Sequence, residues 1–524
     1  MRVRVLAAML LVSCCATNFA AAADRVTFTL PAKQAALLGR GPVSGRIVLF
    51  LKSARCRERG DPADGPFFSD PQPIYSRSIA GLQPDVAVEL GADASMWPGP
   101  LDGLTGTFMA QAVLKRSRDE GGVLAPGNLI TEPVEVALDP ATDQHIKLEF
   151  TAAIPPLEMP ASAGLVTIDE PSPMLTRATG RAVRHRAAVV LPPGYHDVTH
   201  ARRIWPTIYV IPGFGGRMTA ALETQRLLGL PQGPTAIPQA VYVVLDPEGP
   251  FGHHGFADSV INGPRGAALV QELIPMLEDR FRLVKRPEAR LLTGHSSGGW
   301  SSLWLQLTNP EFFGGCWSSS PDPVDFSAFQ VSDLYTDANL YTDKDGEERG
   351  SFRRTVGPME KVLMTAREEM GMERAIDPNG GSGQQWDAWF AMFSPPDERT
   401  GMPRRLADPE TGAIDHALVN ESWSGYDIAR LIERRWGKLA PVLNDKVHLL
   451  VGSADSFYLE RAVKRLKAKI DVLRGEISLP VPLPEGSGFI EVLPDATHDT
   501  AAMIARGRFS LDMKRHLQKA GLAD

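Results

Sequence analysis

The chain has 524 residues, 43% of them hydrophobic and 22% charged, with 55 lysines and arginines against 62 aspartates and glutamates for a formal net charge of −7. That length exceeds one ordinary core and predicts more than one domain, while the apolar and charged fractions are those of a folded chain, not a disordered one. Net acidity without a dense Lys/Arg block excludes nucleic acid as a partner, because neutralising phosphates takes clustered positive charge.

The chain starts with the basic MRVR, continues through the apolar VLAAMLLVSCCA and reaches the small residues of NFAAAAD. This is the layout of a secretory signal peptide over residues 1–23, cleaved after Ala23, and it predicts an exported protein, periplasmic or secreted. Leu11, Val12, Ser13 and Cys14 also resemble a bacterial lipobox, and lipidation at Cys14 would be the one route to a membrane. The apolar run ahead of Cys14 is short for that, so the soluble exported form is preferred. No later stretch is long and apolar enough to span a bilayer. Cys15 shares the leader with Cys14; Cys56 and Cys316 lie far apart, have no metal-ligand spacing and are expected to be buried free thiols.

Residues 24–153 carry short alternating segments, RVTFTL, GRIVLFL, DVAVEL, GTFMAQAVL, VEVAL and HIKLEF, separated by Pro, Gly and Asp clusters. That pattern predicts an all-β sandwich, an accessory module without a nucleophile of its own. Residues 154–174, rich in proline and small residues, read as a linker. From 175 to 524 the texture changes to apolar β-branched strands (RAAVVLPPGY, PTIYVIPGF, AVYVVLD, ARLLTG) alternating with helices such as GAALVQELIPMLEDRF and GGWSSLWLQLTN. Apolar strands alternating with helices predict an α/β domain, a mostly parallel sheet with helices on both faces. The rhythm breaks over 321–445, an irregular polar stretch without strand signals but with interspersed aromatics. It is expected to form a packed cap over an active site.

The chemistry centres on LLTGHSSGGW, residues 291–300, which holds two adjacent serines. Gly294-His295-Ser296-Ser297-Gly298 fits G-x-S-x-G with Ser296 central, between a strand and a helix; small residues are needed on either side because the chain turns sharply there. Centring on Ser297 fails, since His295 and Gly299 would then flank it. Ser296 is therefore the expected nucleophile, and Ser297 contributes its backbone N–H to an oxyanion hole. The second donor is expected from the glycine-rich turn of YVIPGFGG, at Phe214 or, failing that, Gly215. For the base, His498 in LPDATHDTA follows the last strand signal in a loop; His295 is expected to face away, His253 and His254 precede the serine, and His516 lies in the terminal helix. Chain order Ser, Asp, His then selects Asp455, in a loop after the strand VHLLVG, ahead of Asp322, Asp325, Asp495 and Asp499. The long loop DPEGPFGHHGFADSVINGPRG is expected to border the pocket, with His254, Asp258 and Asn262 touching substrate. YTDKDGEERG matches a calcium loop at Asp343, Asp345 and Gly346 only, with Tyr341 and Phe352 where acidic ligands belong, so no metal is expected.

RAAVVLPPGY, PTIYVIPGFGG, NGPRGAALVQELIPMLEDRF, TGHSSGGW and GSADSFYLE…THD together resemble the esterase branch of the α/β-hydrolases, over roughly residues 180–320 and 445–515. That branch includes esterase D-type enzymes, feruloyl and acetyl-xylan esterases, enterochelin esterases and mycolyltransferases. The resemblance implies serine-esterase chemistry without metal or organic cofactor, with Ser296, Asp455 and His498 at the triad positions, acting on a small-molecule or glycan-linked ester. Pro212-Gly213 replaces the His-Gly of many relatives, and the insert after Ser320 is atypical. An acyltransferase using the same triad, or a catalytically silent glycan- or siderophore-binding protein, are the alternative readings.

Overall fold

The computed structural model describes residues 26–523 except 40, 92, 142–144, 232, 234–235, 358 and 476–486. The signal-peptide reading of residues 1–23 and the lipobox at Cys14 lie outside the described residues. Among the described residues no helix is long and apolar enough to cross a membrane.

The N-terminal segments form a nine-stranded mixed sheet, antiparallel except where Val26–Thr29 runs parallel to Ile146–Ala153. The pairing gives one continuous hydrogen-bonded path, not the two separate sheets of the expected sandwich. The reason lies in two long strands. Val43–Ser53 pairs along one edge with Ile74–Leu82 and along the other with Gly106–Lys115, which in turn holds both Leu129–Thr131 and Val134–Leu138. Strand periodicity then divides Val43–Ser53 between two cores. Ile47, Leu49 and Leu51 face the domain's own interior with Phe28, Leu148 and Phe150. Val48 and Phe50 face outward and are buried against Met372, Ala375 and Ile376 of the distant insert. The N-terminal domain is thus packed onto the insert.

The second sheet has eight strands: β1 (Leu165–Pro171), β2 (Arg184–Val190), β3 (Thr207–Ile211), β4 (Val241–Leu245), β5 (Arg290–His295), β6 (Gly315–Ser319), β7 (Val447–Gly452) and β8 (Phe489–Leu493), in spatial order β1-β2-β4-β3-β5-β6-β7-β8. β1, β2 and β4 pair antiparallel; every pairing from β4 through β3 to β8 is parallel. β1 falls inside the stretch expected to be a linker. It is seven residues long and ends at Pro171, which an edge strand tolerates. Alternate residues of each central strand go to opposite faces. Tyr209, Val243, Leu292 and Cys316 pack beneath one helical layer, and Ile208, Val244, Leu291 and Trp317 beneath another. Cys316 is a buried free thiol, whereas Cys56 is free but only half-buried.

The insert is packed, as its tryptophans suggested, yet it does contain strands: a hairpin of Gly350–Val356 against Met359–Thr365. Hairpin alternation there was masked by charged residues on its exposed face. Phe329, Trp386, Trp389, Phe393 and Trp423 are buried together, with Phe329 edge-on to Trp389 at 4.8 Å and Phe393 to Trp423 at 5.1 Å.

Candidate active site

β5 turns directly into helix α1 (Ser297–Thr308) at Ser296. Ser296 sits at φ 57°, ψ −127°, a conformation that L-residues avoid unless their surroundings impose it. The glycines explain how it is imposed. A Cβ on Gly294 would collide with the Gly298 carbonyl, and one on Gly298 would lie 2.7 Å from the Pro212 carbonyl oxygen and closer still to that of Ile211. A Cβ on Gly213 would lie 3.0 Å from the His295 carbonyl oxygen and 3.2 Å from the Ser296 Cβ. Gly298→Ala is therefore expected to cost about 3 kcal/mol by forced overpacking, read as a lowered midpoint in denaturant unfolding.

His498 opens the terminal helix α2 (His498–Lys519) as its first residue; it does not lie in a loop. Its Nδ1 is 2.8 Å from Oδ2 of Asp455, and the two side chains are nearly removed from water, at 7% and 0% exposure. Burial opposes the imidazolium, but the adjacent Asp455 carboxylate outweighs it and raises the His498 pKa above the ordinary histidine value. Asp455 is held below the usual carboxylate range despite burial, by His498 and by the Phe457 N–H, which donates to its Oδ1 at 2.9 Å. Phe457 also stands edge-on to the His498 ring at 5.0 Å. Ser296 and His498 open onto one cavity of about 390 Å³. Among the described residues no hydrogen bond joins them, a common state before substrate tightens the site.

Phe214 and Gly213 line the same cavity. Gly215 adopts φ +73°, and the Gly216 N–H closes the turn on the Gly213 carbonyl at 2.9 Å. The Ser297 N–H heads α1 and has no intrahelical acceptor. The turn is braced from behind. Burial lowers the His253 pKa to about 4, so its ring is neutral, accepting from the Gly255 N–H through Nδ1 and donating from Nε2 to the Pro212 carbonyl at 3.0 Å. Arg217, at the end of the turn, is forked onto Asp246 at 3.0 Å and onto Glu120 of the N-terminal domain at 2.9 Å.

Residues 182–346, which include the elbow and the glycine turn, match the model of the family described as "Putative esterase". That stretch is similar to the esterase family, and the match spans less than half of the chain. Solved structures similar to it include a fluorophosphonate-binding serine hydrolase of Staphylococcus aureus (11% identity, 67% of this chain and 97% of that one, TM-score 0.38). Others are a ferulic acid esterase (11% identity, 67% and 98%, TM-score 0.38) and an S-formylglutathione hydrolase of Agrobacterium tumefaciens (14% identity, 68% and 98%, TM-score 0.36). No curated protein matches by sequence.

Within this domain the loop expected to touch substrate does not line the cavity. It folds into two small hairpins, Glu248–Gly249 with Gly252–His253 and Asp258–Ser259 with Gly263–Pro264, and the insert covers it. His254 is buried and its Nδ1 accepts from the Phe256 N–H. Asp258 caps the following helix through the Gly266 and Ala267 N–H groups. Asn262 Nδ2 donates to the Ala391 carbonyl of the insert at 3.2 Å. None of the three lines the cavity. His295, expected to face away, does line it, with its ring centroid 4.3 Å from that of His498 and its Nδ1 2.9 Å from Ser319 Oγ. Burial, then the neighbouring His498, pushes the His295 pKa down to about 3, so it adds no charge beside His498.

Among the other acids, Asp322 accepts from Ser297 Oγ at 2.7 Å and from the Trp389 indole at 2.9 Å, anchoring the elbow to the insert. Asp325 caps the short helix Phe326–Ala328, the Asp495 N–H donates to Ser453, and Asp499 stands exposed at the cavity mouth. Phe68 of the N-terminal domain closes the cavity wall against Phe457 and Phe352, each ring 5.9 Å away. Nothing local in sequence marks Phe68. Arg353 of the hairpin donates to the Asp455 carbonyl at 2.9 Å while paired with Glu460 at 2.8 Å, fixing the acid loop from the insert side.

Proposed function

We propose that the chain is an exported serine esterase that cleaves small-molecule or glycan-linked carboxylic esters through Ser296, His498 and Asp455. The observation that carries this is the convergence on one cavity of a serine held at a strained elbow and a histidine tied at 2.8 Å to a buried aspartate. His498 takes the Ser296 hydroxyl proton as Oγ attacks the ester carbonyl carbon. The Ser297 and Phe214 N–H groups hold the resulting oxyanion, where fixed dipoles in a water-poor site are most effective. Collapse expels the alcohol, which takes its proton from His498, and leaves an acyl group on Ser296. Water, deprotonated by His498, then releases the acid and restores the serine. No step calls for a metal or organic cofactor, and the leader read over residues 1–23 supports export.

Intact mass after incubation with a fluorophosphonate probe tests the assignment. One probe mass is expected on the wild type and none on Ser296→Ala. A wild type that is folded and takes no adduct would overturn it.

A further inference from the structure

We infer that Glu369 is the acceptor for a hydrogen-bond-donating group, a hydroxyl or an ammonium, carried by the ester that enters this cavity. The inference rests on the esterase reading of the site and adds what the site selects.

Glu369 lies on the insert helix Ala366–Ile376 and lines the cavity that holds Ser296 and His498. It is only 4% exposed and occupies the helix's buried stripe with Ala366 and Met370, where helical periodicity calls for an apolar side chain. A carboxyl group there is costly unless something hydrogen-bonds to it. Its Oε2 has no hydrogen-bond partner. The Ser351 hydroxyl and Trp386 indole lie close enough to temper its acidity, yet the indole Nε1 is itself unpartnered. Burial pushes the Glu369 pKa up to about 7. One turn along, Glu373 shows what a satisfied buried acid looks like here: its two oxygens accept from the Trp386 and Asp387 N–H groups, each at 2.9 Å. Glu369 has no such role in the fold.

The rest of the cavity fits a substrate with an apolar body and a donor head. Phe68, Phe214, Trp389 and Phe457 supply aromatic walls, while Gln330 and Gln385 add polar groups. The charged residues lining it are Asp322, Glu369 and Asp499, with no lysine or arginine among them. An anionic head would meet like charge; a donor head gives Glu369 the partner that the protein does not. A site built to hydrogen-bond a substrate group discriminates strongly against the analogue lacking it, because its own buried polar atom is then left unpaired.

Matched phenyl esters of 6-hydroxyhexanoate, 6-aminohexanoate, heptanoate and adipate supply the test, together with acetate esters of alcohols bearing the same four heads. Comparing kcat/KM between substrates on one enzyme preparation cancels any loss of folded protein. In at least one series, wild type is expected to favour a donor head over its hydrocarbon isostere by about 10- to 100-fold, with the carboxylate slowest. Glu369→Leu should erase the preference. Glu369→Gln, which keeps an amide oxygen, should keep that for hydroxyl and lose that for ammonium, so the two sources of a donor separate. Equal rates for donor and hydrocarbon esters in both series, or a preference surviving in Glu369→Leu, would overturn the inference while leaving the esterase reading intact. Absence of fluorophosphonate labelling at Ser296 would remove the esterase reading, and this one with it.

Discussion

Ser296→Ala is expected to lower kcat by about 10⁶-fold on any ester the wild type cleaves, with KM little changed. The size follows from the role proposed for the residue: without its oxygen no acyl-enzyme would form, and His498 and Asp455 would lose the group they serve. The elbow itself should persist. Its conformation at φ 57° is imposed by the contacts of Gly294, Gly298 and Gly213 and by the Ser296 N–H bond to the Ser319 carbonyl at 3.0 Å, none of which uses the hydroxyl. Steady-state kinetics on material checked for wild-type carry-over, with unfolding curves alongside, measures both. Adding His498→Ala to Ser296→Ala should cost almost nothing more, because residues that act as a unit fail as a unit. Ser297→Ala is the informative control. Its hydroxyl is buried and spent on Asp322 at 2.7 Å. A collapse of catalysis there with full activity in Ser296→Ala would reverse the assignment between the two serines.

The elbow was legible in the sequence because its requirements are local: a strand, a helix and glycines at fixed offsets are contiguous over ten residues. Chain order then pointed to His498 and Asp455, and in the sheet β7 and β8 run parallel to β5 with β6 between. Illegible were the contacts set by packing between distant segments. The loop holding His254, Asp258 and Asn262 is polar and precedes a helix, which is what a pocket rim looks like. It is also what a covered loop looks like when the insert supplies its partners, as the Ala391 carbonyl does for Ser259 and Asn262. Phe68 and Glu120 lie more than a hundred residues before the elbow, and only the outward-facing half of Val43–Ser53 hinted that the first domain would be docked. Those residues change the meaning of that domain. Through Phe68 it walls the cavity, and through Glu120 and Arg217 it steadies the turn that bears Phe214.

Asp455→Asn should lower kcat by about 10⁴-fold while leaving the fold and KM near wild type. In the proposed mechanism His498 must carry a positive charge in the transition state. His498 is buried and heads α2, and both burial and the positive end of a helix oppose an imidazolium. Asp455 is what reverses that balance and raises the His498 pKa. With His498 as the proposed base, activity is lost as pH falls through that raised pKa, so the acid limb of kcat/KM should lie above the ordinary histidine value of about 6.5. An asparagine cannot stabilise the charge, and its amide N–H favours the wrong ring tautomer. The limb should then move to lower pH as the plateau collapses, since burial now acts unopposed. A pH–rate profile of the two enzymes separates this from mere loss of folded protein, which would lower the plateau and leave the limb in place. Asp322→Asn provides the contrast, because Asp322 is bonded to Ser297 and Trp389 and not to the imidazole. If Asp322→Asn shifted the limb and Asp455→Asn did not, the roles of the two buried aspartates would have to be exchanged.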